Sequence, residues 1–523
     1  MTTRETLLDQ VFRNNEPWDV LVIGGGATGL GTAVEAASRG YRTLLMERFD
    51  FAKGTSSRST KLVHGGVRYL EQMNIRLVLD ALHERGHMLR NAPHLAHDLP
   101  FVVPAYSYAA LPYYGFGLKM YEWLSGKLSL GRSELLSAES TSQKLPGIQR
   151  KGLRGGILYH DGQFDDSRYA IALLRTLEDL GGTALNYVEA TGFVKEAGKI
   201  TGIHAMDRES ETPFDVRARV VINACGVYAE ETLQIQSGEK STLLSVSQGT
   251  HFVLPRTFLP GGHALMIPKT ADGRVLFAIP WHDAVIVGTT DVGVNGPAVE
   301  PRPLKEEKEF LLAHIERYFG RRPRPEEILS VWSGLRPLVR QGNAATAKLS
   351  RDHTILIAPS GLVTVTGGKW TTYRRMGQDT IDRASAAAGL PPATSRSLEM
   401  KLHGATEELP GNASAWERVY GSDLAALRGL DREDPALESL LHPRLPFRLR
   451  EVVWAARHEM ARTTEDVLAR RTRALFLDAR AALEAAPAVA RLLGKELHRS
   501  DAWIEKDLAA FLELAKGYLY AED

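Results

Sequence analysis

A single cysteine, Cys225, stands in a chain of 523 residues. No internal disulfide can form, which fits a reducing compartment. The lone thiol also excludes chemistry that cycles a flavin against a cysteine pair within one chain. Neither sign of charge is in excess, with 64 Lys and Arg against 63 Asp and Glu. No bulk basic surface follows, and no nucleic-acid partner is expected. No run of roughly 18 apolar residues occurs, so no transmembrane helix is expected. Met1 to Trp18 has neither the apolar core nor the cleavage site of a secretory signal. Fixed-period repeats and low-complexity tracts are also lacking. The length allows a large core divided among two or three domains.

What is present begins with residues 19 to 47. Asp19 to Ile23 is a short apolar run of strand type. Gly24-Gly25-Gly26-Ala27-Thr28-Gly29 follows at once and matches G-x-G-x-x-G. A helix opens there and runs to Gly40, a C′ glycine. Arg42 to Met46 reads as a second buried strand, with Glu47 at its end. Gly24 makes the tight turn, and Gly26 lets the backbone approach a pyrophosphate. Gly29 lets the helix pack on the strand, while the helix N-terminus offers N–H groups to the anion. Ala33 and Ala37 keep the packed helix face small. Glu47 can accept hydrogen bonds from a ribose hydroxyl, and an acid there disfavours a 2′-phosphate. The motif alone is weak; strand, helix and acid in this order are the context that supports a dinucleotide site over an ordinary glycine-rich turn.

Gly54-Thr55-Ser56-Ser57-Arg58-Ser59-Thr60-Lys61-Leu62-Val63-His64-Gly65-Gly66-Val67-Arg68-Tyr69-Leu70 is the second informative stretch. Its hydroxyl residues can bond phosphates and line a flat ring system. Lys61, His64 and Arg68 converge on a double glycine, which suits either an anionic ligand held close to backbone or a solvated basic loop. The run from Ser59 to Leu70, together with the fingerprint before it, resembles the FAD-dependent glycerol-3-phosphate dehydrogenases. Val285 to Asp291, Ser333 to Leu338, Gly367 to Arg374 and Glu465 to Arg473 are similar to that family as well. The resemblance covers nearly the full chain.

Other stretches read more plainly. Ile75, Val78, Leu79, Leu82, Gly86 and Leu89 form one stripe of a helix over 74 to 91. Within it His83-Glu84-Arg85-Gly86-His87 matches H-E-x-x-H. Gly86 sits mid-stripe as a packing glycine, the metzincin continuation is missing, and no zinc is expected. Between Pro104 and Trp123 aromatics crowd, with Lys119 and Lys127 among or beside them. That mixture suits a membrane interface or a core under a cap; residue type alone favours the core, and the family, a peripheral membrane enzyme, raises the membrane.

The α/β pattern resumes from Gly155. A helix follows Asp165 to Arg168 and runs to Gly181. Val220 to Asn223 is a buried strand, and Ala224-Cys225-Gly226 ends it with small residues, through tight packing or close approach to the dinucleotide. Cys225 reads as a packed thiol. Residues 247 to 335 form a β-rich region in which His251 opens a strand, a turn at Trp281 to Asp283 joins two strands, and a helix spans Lys305 to Phe319. Arg336 precedes Pro337 and is held extended. Strands at 354 to 357 and 362 to 366 lead to Gly367-Gly368-Lys369. Thr371 or Thr372 then caps a helix to Gly389, whose start would face the reduced flavin pyrimidine ring. Beyond about 400 the pattern is helical, with a capping start at Thr463 to Asp466 for a helix to about Ala485, and Ser500 as the last cap.

The expected class is α/β: a Rossmann-like FAD-binding domain of the D-amino-acid-oxidase and glutathione-reductase type, with an inserted β-rich substrate domain and a C-terminal helical domain. The expected boundaries are 1–90, 151–246 and 336–400 for the FAD-binding domain, 91–150 and 247–335 for the cap, and 401–523 for the helices. The resemblance implies oxidation of sn-glycerol 3-phosphate to dihydroxyacetone phosphate, with electrons passed to a membrane quinone from the inner face of the cell membrane, and it admits a homodimer. An oxygen-using oxidase, an amine or amino-acid oxidase, or a non-catalytic sensor are the alternatives. Gly24, Gly26, Thr28, Gly29 and Glu47 belong to FAD, as do Thr55, Ser56, Ser57, Lys61, His64, Gly65 and Gly66. Ala224, Gly226, Gly367, Gly368, Lys369 and Thr371 complete that set. His64, favoured as the base, and His251, Arg336 and Lys369 are the catalytic candidates. Arg68, Tyr69, Arg336 and Lys369 would hold the substrate. Lys369 can serve either the flavin charge or the phosphate.

Overall fold

In the computed structural model residues 3–66, 75–270, 273–340 and 352–522 are described. Two sheets organise them. The first has eight strands, in the order His353–Ile357, Val363–Gly367, Thr212–Asn223, Trp18–Ile23, Thr43–Met46, Thr183–Leu185, with the antiparallel pair Val188–Glu196 and Lys199–Asp207 joined to Thr212–Asn223. Trp18–Ile23 runs parallel to both of its neighbours. Its four last residues are buried, as strands covered on both faces require.

Helix Ala27–Ser38 leaves that strand through Gly24, at φ +111°, and ends before Gly40, at φ +87°. It is buried along nearly its whole length. A side chain on Gly29 would strike the Gly24 carbonyl oxygen at 1.8 Å. Two residues on, on another face of the helix, Gly31 meets Gly377 of helix Tyr373–Ala388, and a Cβ on Gly377 would lie 2.6 Å from the Gly31 oxygen. Backbone contact between these helices is what brings the chain's return segment, 353 to 389, back to its first unit.

The second sheet has ten strands: Val292–Val294, Leu244–Pro255, Ala284–Gly288, Leu276–Trp281, Ala264–Ile267, Ala96–Ala105, Gly155–Phe164, Leu62–Val63, with Ser330–Val339 on Leu244–Pro255 and Glu134–Ser137 on Gly155–Phe164. Gly155–Phe164, placed by the sequence with the dinucleotide domain, lies in the second sheet, between Ala96–Ala105 and Leu62–Val63. Leu244–Pro255 is longer than expected, so His251 lies mid-strand rather than opening it.

The C-terminal part is helical, but Thr463 to Ala485 is not one helix. Asp466–Arg471 is a π-turn, Ala474–Leu477 a single turn, and Ala479–Glu496 the long helix. Ser500 caps Asp501–Lys516, its hydroxyl accepting from the Trp503 N–H. Helix Ile75–Asn91 carries the H-E-x-x-H run. There Glu84 is buried in an ion pair with Arg374, His83 is exposed, and Gly86 packs against Leu128.

Candidate active site

One cavity of about 470 Å³ runs from the first sheet's carboxyl end to the face of the second sheet. At the first end the Glu47 carboxylate accepts the Gly25 N–H at 2.7 Å and the Phe49 N–H at 2.9 Å. Burial pushes this carboxyl above its usual range, and the two N–H groups oppose the shift. Gly26 opens helix Ala27–Ser38. A side chain there would reach the Ser56 hydroxyl at 3.0 Å and no other atom within 4 Å, so the space above the helix N-terminus is open. Ser56 itself accepts the Ala27 N–H at 2.8 Å. Thr28, Ala224, Cys225 and Gly226 line the same end. Burial pushes the Cys225 thiol up to about 12, in keeping with a packed, unreactive group.

Midway, Thr55, Gly367, Gly368, Lys369 and Thr371 line the cavity. Thr55 donates to the Leu335 carbonyl at 2.6 Å, and the Trp370 indole donates to the Ser56 carbonyl at 2.9 Å. Gly367 and Gly368 take φ of +79° and +74°, a double turn that only glycine adopts cheaply.

The far end is built by cross-strand pairs. Ser247 lies opposite Arg336, Gly249 opposite Gly334, and His251 opposite Trp332. Alternation puts all six on one face. The His251 ring stacks on Trp332 at 4.1 Å and 22°, and its Nε2 lies 2.9 Å from the Thr60 hydroxyl. Burial, then Arg336 and Lys61, hold this imidazole well below its ordinary pKa, so it is neutral at physiological pH. Arg336 crosses the gap left by Gly249. It donates to Thr289 Oγ1 at 3.0 Å, the Thr290 carbonyl at 3.2 Å and Ser247 Oγ at 3.4 Å, with Asp291 at 3.6 Å. His64 and Gly66 line the cavity opposite, the His64 ring 6.4 Å from that of Phe277.

A family model described as FAD dependent oxidoreductase matches residues 19–374, and one described as the C-terminal domain of alpha-glycerophosphate oxidase matches 367–504. The mitochondrial glycerol-3-phosphate dehydrogenase of Homo sapiens is 37% identical, over 98% of this chain and 74% of that protein. The mitochondrial enzyme of Arabidopsis thaliana is 36% identical, over 97% and 86%. The chain belongs to the FAD-dependent glycerol-3-phosphate dehydrogenase family. Among solved structures, the glycerol-3-phosphate dehydrogenase of Bacillus halodurans complexed with FAD aligns over 100% of this chain and 99% of that one, at 26% identity and a TM-score of 0.80.

The residues present fit FAD: an open helix N-terminus that could take a pyrophosphate, a half-buried acid at the end of strand Thr43–Met46, and paired positive-φ glycines on the cavity wall. Not every expected site residue reaches the cavity. Lys61 is fully buried, its ammonium 2.7 Å from Asp166 and from the Ser57 carbonyl. It is an internal tie and not an anion ligand, because the carboxylate at the start of helix Asp166–Asp179 reaches it first. Ser57 is buried beside it, and the Gly65 N–H is directed to the Tyr121 hydroxyl at 2.6 Å. Gly29 serves helix packing. Arg68 and Tyr69 lie outside the described residues. The sequence reading missed Thr60, Ser247, Gly249 and Asp291. For Ser247 and Gly249 a signal existed: each stands two residues from the next on the way to His251, on one strand face.

Proposed function

We propose that this protein oxidises sn-glycerol 3-phosphate to dihydroxyacetone phosphate and passes the electrons to a membrane quinone. One observation carries the proposal: the dinucleotide cradle at Glu47 and Gly26 and the group Arg336, His64, His251 and Lys369 open into a single cavity. Bound FAD would supply the two-electron acceptor for the hydride that leaves C2. The chain's own residues do the rest. Arg336 presents a rigid fork to the phosphate, and its bonds to Thr289, Thr290 and Ser247 fix the fork's direction. Lys369 adds a second cation on the cavity wall. Loss of the C2 hydroxyl proton needs a neutral imidazole. His251 has Nε2 committed to Thr60 and Nδ1 buried away from solvent. His64, on the cavity wall beside the Gly65–Gly66 turn, is assigned as the base, and His251 with Trp332 as the wall that orients C2.

Peripheral attachment to the cytoplasmic face of the membrane belongs to this reading. Among the described residues no helix is long and apolar enough to cross a membrane. Helix Ala110–Ser125 buries Leu118 and Tyr121 yet leaves Tyr113, Phe116 and Trp123 61%, 76% and 79% exposed. Tyr108 and Leu135 are also exposed, and Arg154 lies over the Tyr108 ring. A patch of this kind marks a contact surface, and aromatics mixed with cations suit the lipid headgroup boundary.

The test is anaerobic. Glycerol 3-phosphate should bleach the flavin absorbance of the purified protein, and a soluble quinone should restore it faster than oxygen does. Bleaching by an amino acid but not by glycerol 3-phosphate would overturn the substrate assignment. Faster recovery with oxygen would make the protein an oxidase.

A further inference from the structure

The Glu465 to Arg473 run has no place in the chemistry above, yet its charged side chains are almost wholly buried. They face the dinucleotide-binding unit. Arg471 holds the Asp50 carboxylate with two bonds, at 2.7 and 2.9 Å, and Arg470 Nε reaches the same carboxylate at 2.5 Å. Arg470 also bonds Glu465 and Asp466 at 2.6 Å each. Glu465 in turn takes the Lys53 ammonium on both oxygens at 2.6 Å.

Asp50 and Lys53 belong to the segment that follows Glu47 and covers the cofactor end. From Asp50 the path to the glycines is two residues long. The Ala52 N–H donates to the Gly25 carbonyl at 2.9 Å, and a Cβ on Gly25 would lie 2.8 Å from the Phe51 ring. Lys53, Gly54, Thr55 and Ser56 then line the cavity, where Ser56 holds the first helix N–H. The six-residue π-type turn Asp466–Arg471 seats two adjacent arginines side by side on one carboxylate, which a regular helix, turning 100° per residue, would point apart.

We propose that this arginine turn clamps the segment Asp50–Ser56 onto the dinucleotide glycines, so that cofactor retention depends on the C-terminal helices. Asp50 and Glu465 are positioning residues in this scheme, since neither need touch the cofactor. The proposal rests on the FAD assignment made above, and the experiment separates the two. Apoprotein is prepared from wild type, Glu465→Gln, Asp50→Asn and the control Val489→Ala. Val489 is buried in helix Ala479–Glu496, and its truncation removes apolar packing from the helical part without touching a charge. FAD is titrated against each by flavin fluorescence, and the thermal midpoint of each apoprotein is recorded. Glu465→Gln should weaken FAD binding at least tenfold. Val489→Ala should bind FAD within twofold of wild type, even where its midpoint falls as far. Asp50→Asn, if it folds, should weaken binding more than Glu465→Gln; if it does not fold, Glu465→Gln decides alone. Wild-type affinity in Glu465→Gln, or equal loss in the control at a matched midpoint, would overturn the clamp. A wild-type apoprotein that binds no FAD would overturn the cofactor assignment instead.

Discussion

Gly249→Ala tests whether Arg336 works from where it lies. The position is extended strand, which any residue adopts, so the backbone tolerates the change. The added methyl would stand 2.2 Å from Arg336 Nη2 and 2.4 Å from Thr289 Oγ1. Cβ contacts under 3.0 Å essentially never occur, so the guanidinium must retreat by about 1 Å or more. Retreat breaks its bond to Thr289, and with it the direction of the fork. A misplacement of about 1 Å at a reacting group costs on the order of 100-fold. Losing one charge-assisted hydrogen bond, worth roughly 1.5–3 kcal/mol, costs about 10- to 150-fold. Both routes give a fall in kcat/KM for glycerol 3-phosphate of at least tenfold. Arg336→Lys, which keeps the charge but loses the fork, should fall by a similar factor. Flavin content should stay full in both variants. The assay is steady-state kinetics with a dye acceptor, run on glycerol 3-phosphate and on glycerol. Glycerol has no phosphate to misplace, so its slow turnover should change little. An unchanged kcat/KM in Gly249→Ala with full flavin would refute the phosphate assignment of Arg336. An equal loss on both substrates would make the residue a support for the flavin or the sheet.

Four further outcomes are expected. Gly26→Val puts a branched side chain into the open space above the helix N-terminus, and the purified protein should lack flavin absorbance. Tyr121→Phe leaves the Gly65 N–H and Asp161 short of a partner, at roughly 1–3 kcal/mol; kcat should drop several-fold in steady-state assays while flavin content holds, because the His64–Gly66 turn loses its anchor. Burial pushes Glu451 from 4.5 up to about 7, so its stabilising contribution is complete below pH 4.5 and is lost as pH rises through 7. Denaturant unfolding of Glu451→Gln should therefore gain on wild type by on the order of 3 kcal/mol over that window, and parallel profiles would contradict the shift. Phe116→Glu with Trp123→Glu removes two exposed rings, each worth roughly 1.5–3 kcal/mol if buried in lipid, so co-sedimentation with anionic vesicles should fall by more than about tenfold at unchanged thermal stability.

The parallel core was legible because its signals are local. Strand, glycine turn, helix and acid follow one another within residues 18 to 47, and the Gly31–Gly377 contact only completes them. Pairings over long separations were not legible. Lys61 looks like an anion ligand until Asp166, distant in sequence, reaches it. Thr463 to Asp466 looks like the start of a long helix until Asp50 draws two arginines to one side and the turn widens. The strand carrying His251 alternates weakly because both of its faces are covered, so its start could not be read from period. The aromatics after Pro104 have the same limit in reverse. Their spacing makes Tyr113 and Phe116 neighbours on a helix, but only the packed structure leaves that face uncovered.

The far end of the site follows from glycine placement in the sheet. Gly249 and Gly334 are interior strand positions, where each glycine costs roughly 0.5–1 kcal/mol against a residue with a side chain, and Gly288 ends strand Ala284–Gly288. Each is filled by something else. A Cβ at Gly249 would meet the Arg336 guanidinium, at Gly288 the His251 ring at 2.3 Å, and at Gly334 the Arg58 carbonyl at 2.7 Å. Gly249 and Gly334 are direct partners, so the sheet carries one bare row between Ser247–Arg336 and His251–Trp332. Into that row comes the segment after Glu47, through Arg58, and across it lies the guanidinium. The stability forgone at the two interior glycines, roughly 1–2 kcal/mol in all, is what lets a cation, an imidazole and the cofactor-covering segment meet on a flat surface. A sheet with ordinary side chains in that row would fold at least as well and would close the cavity between Glu47 and Arg336.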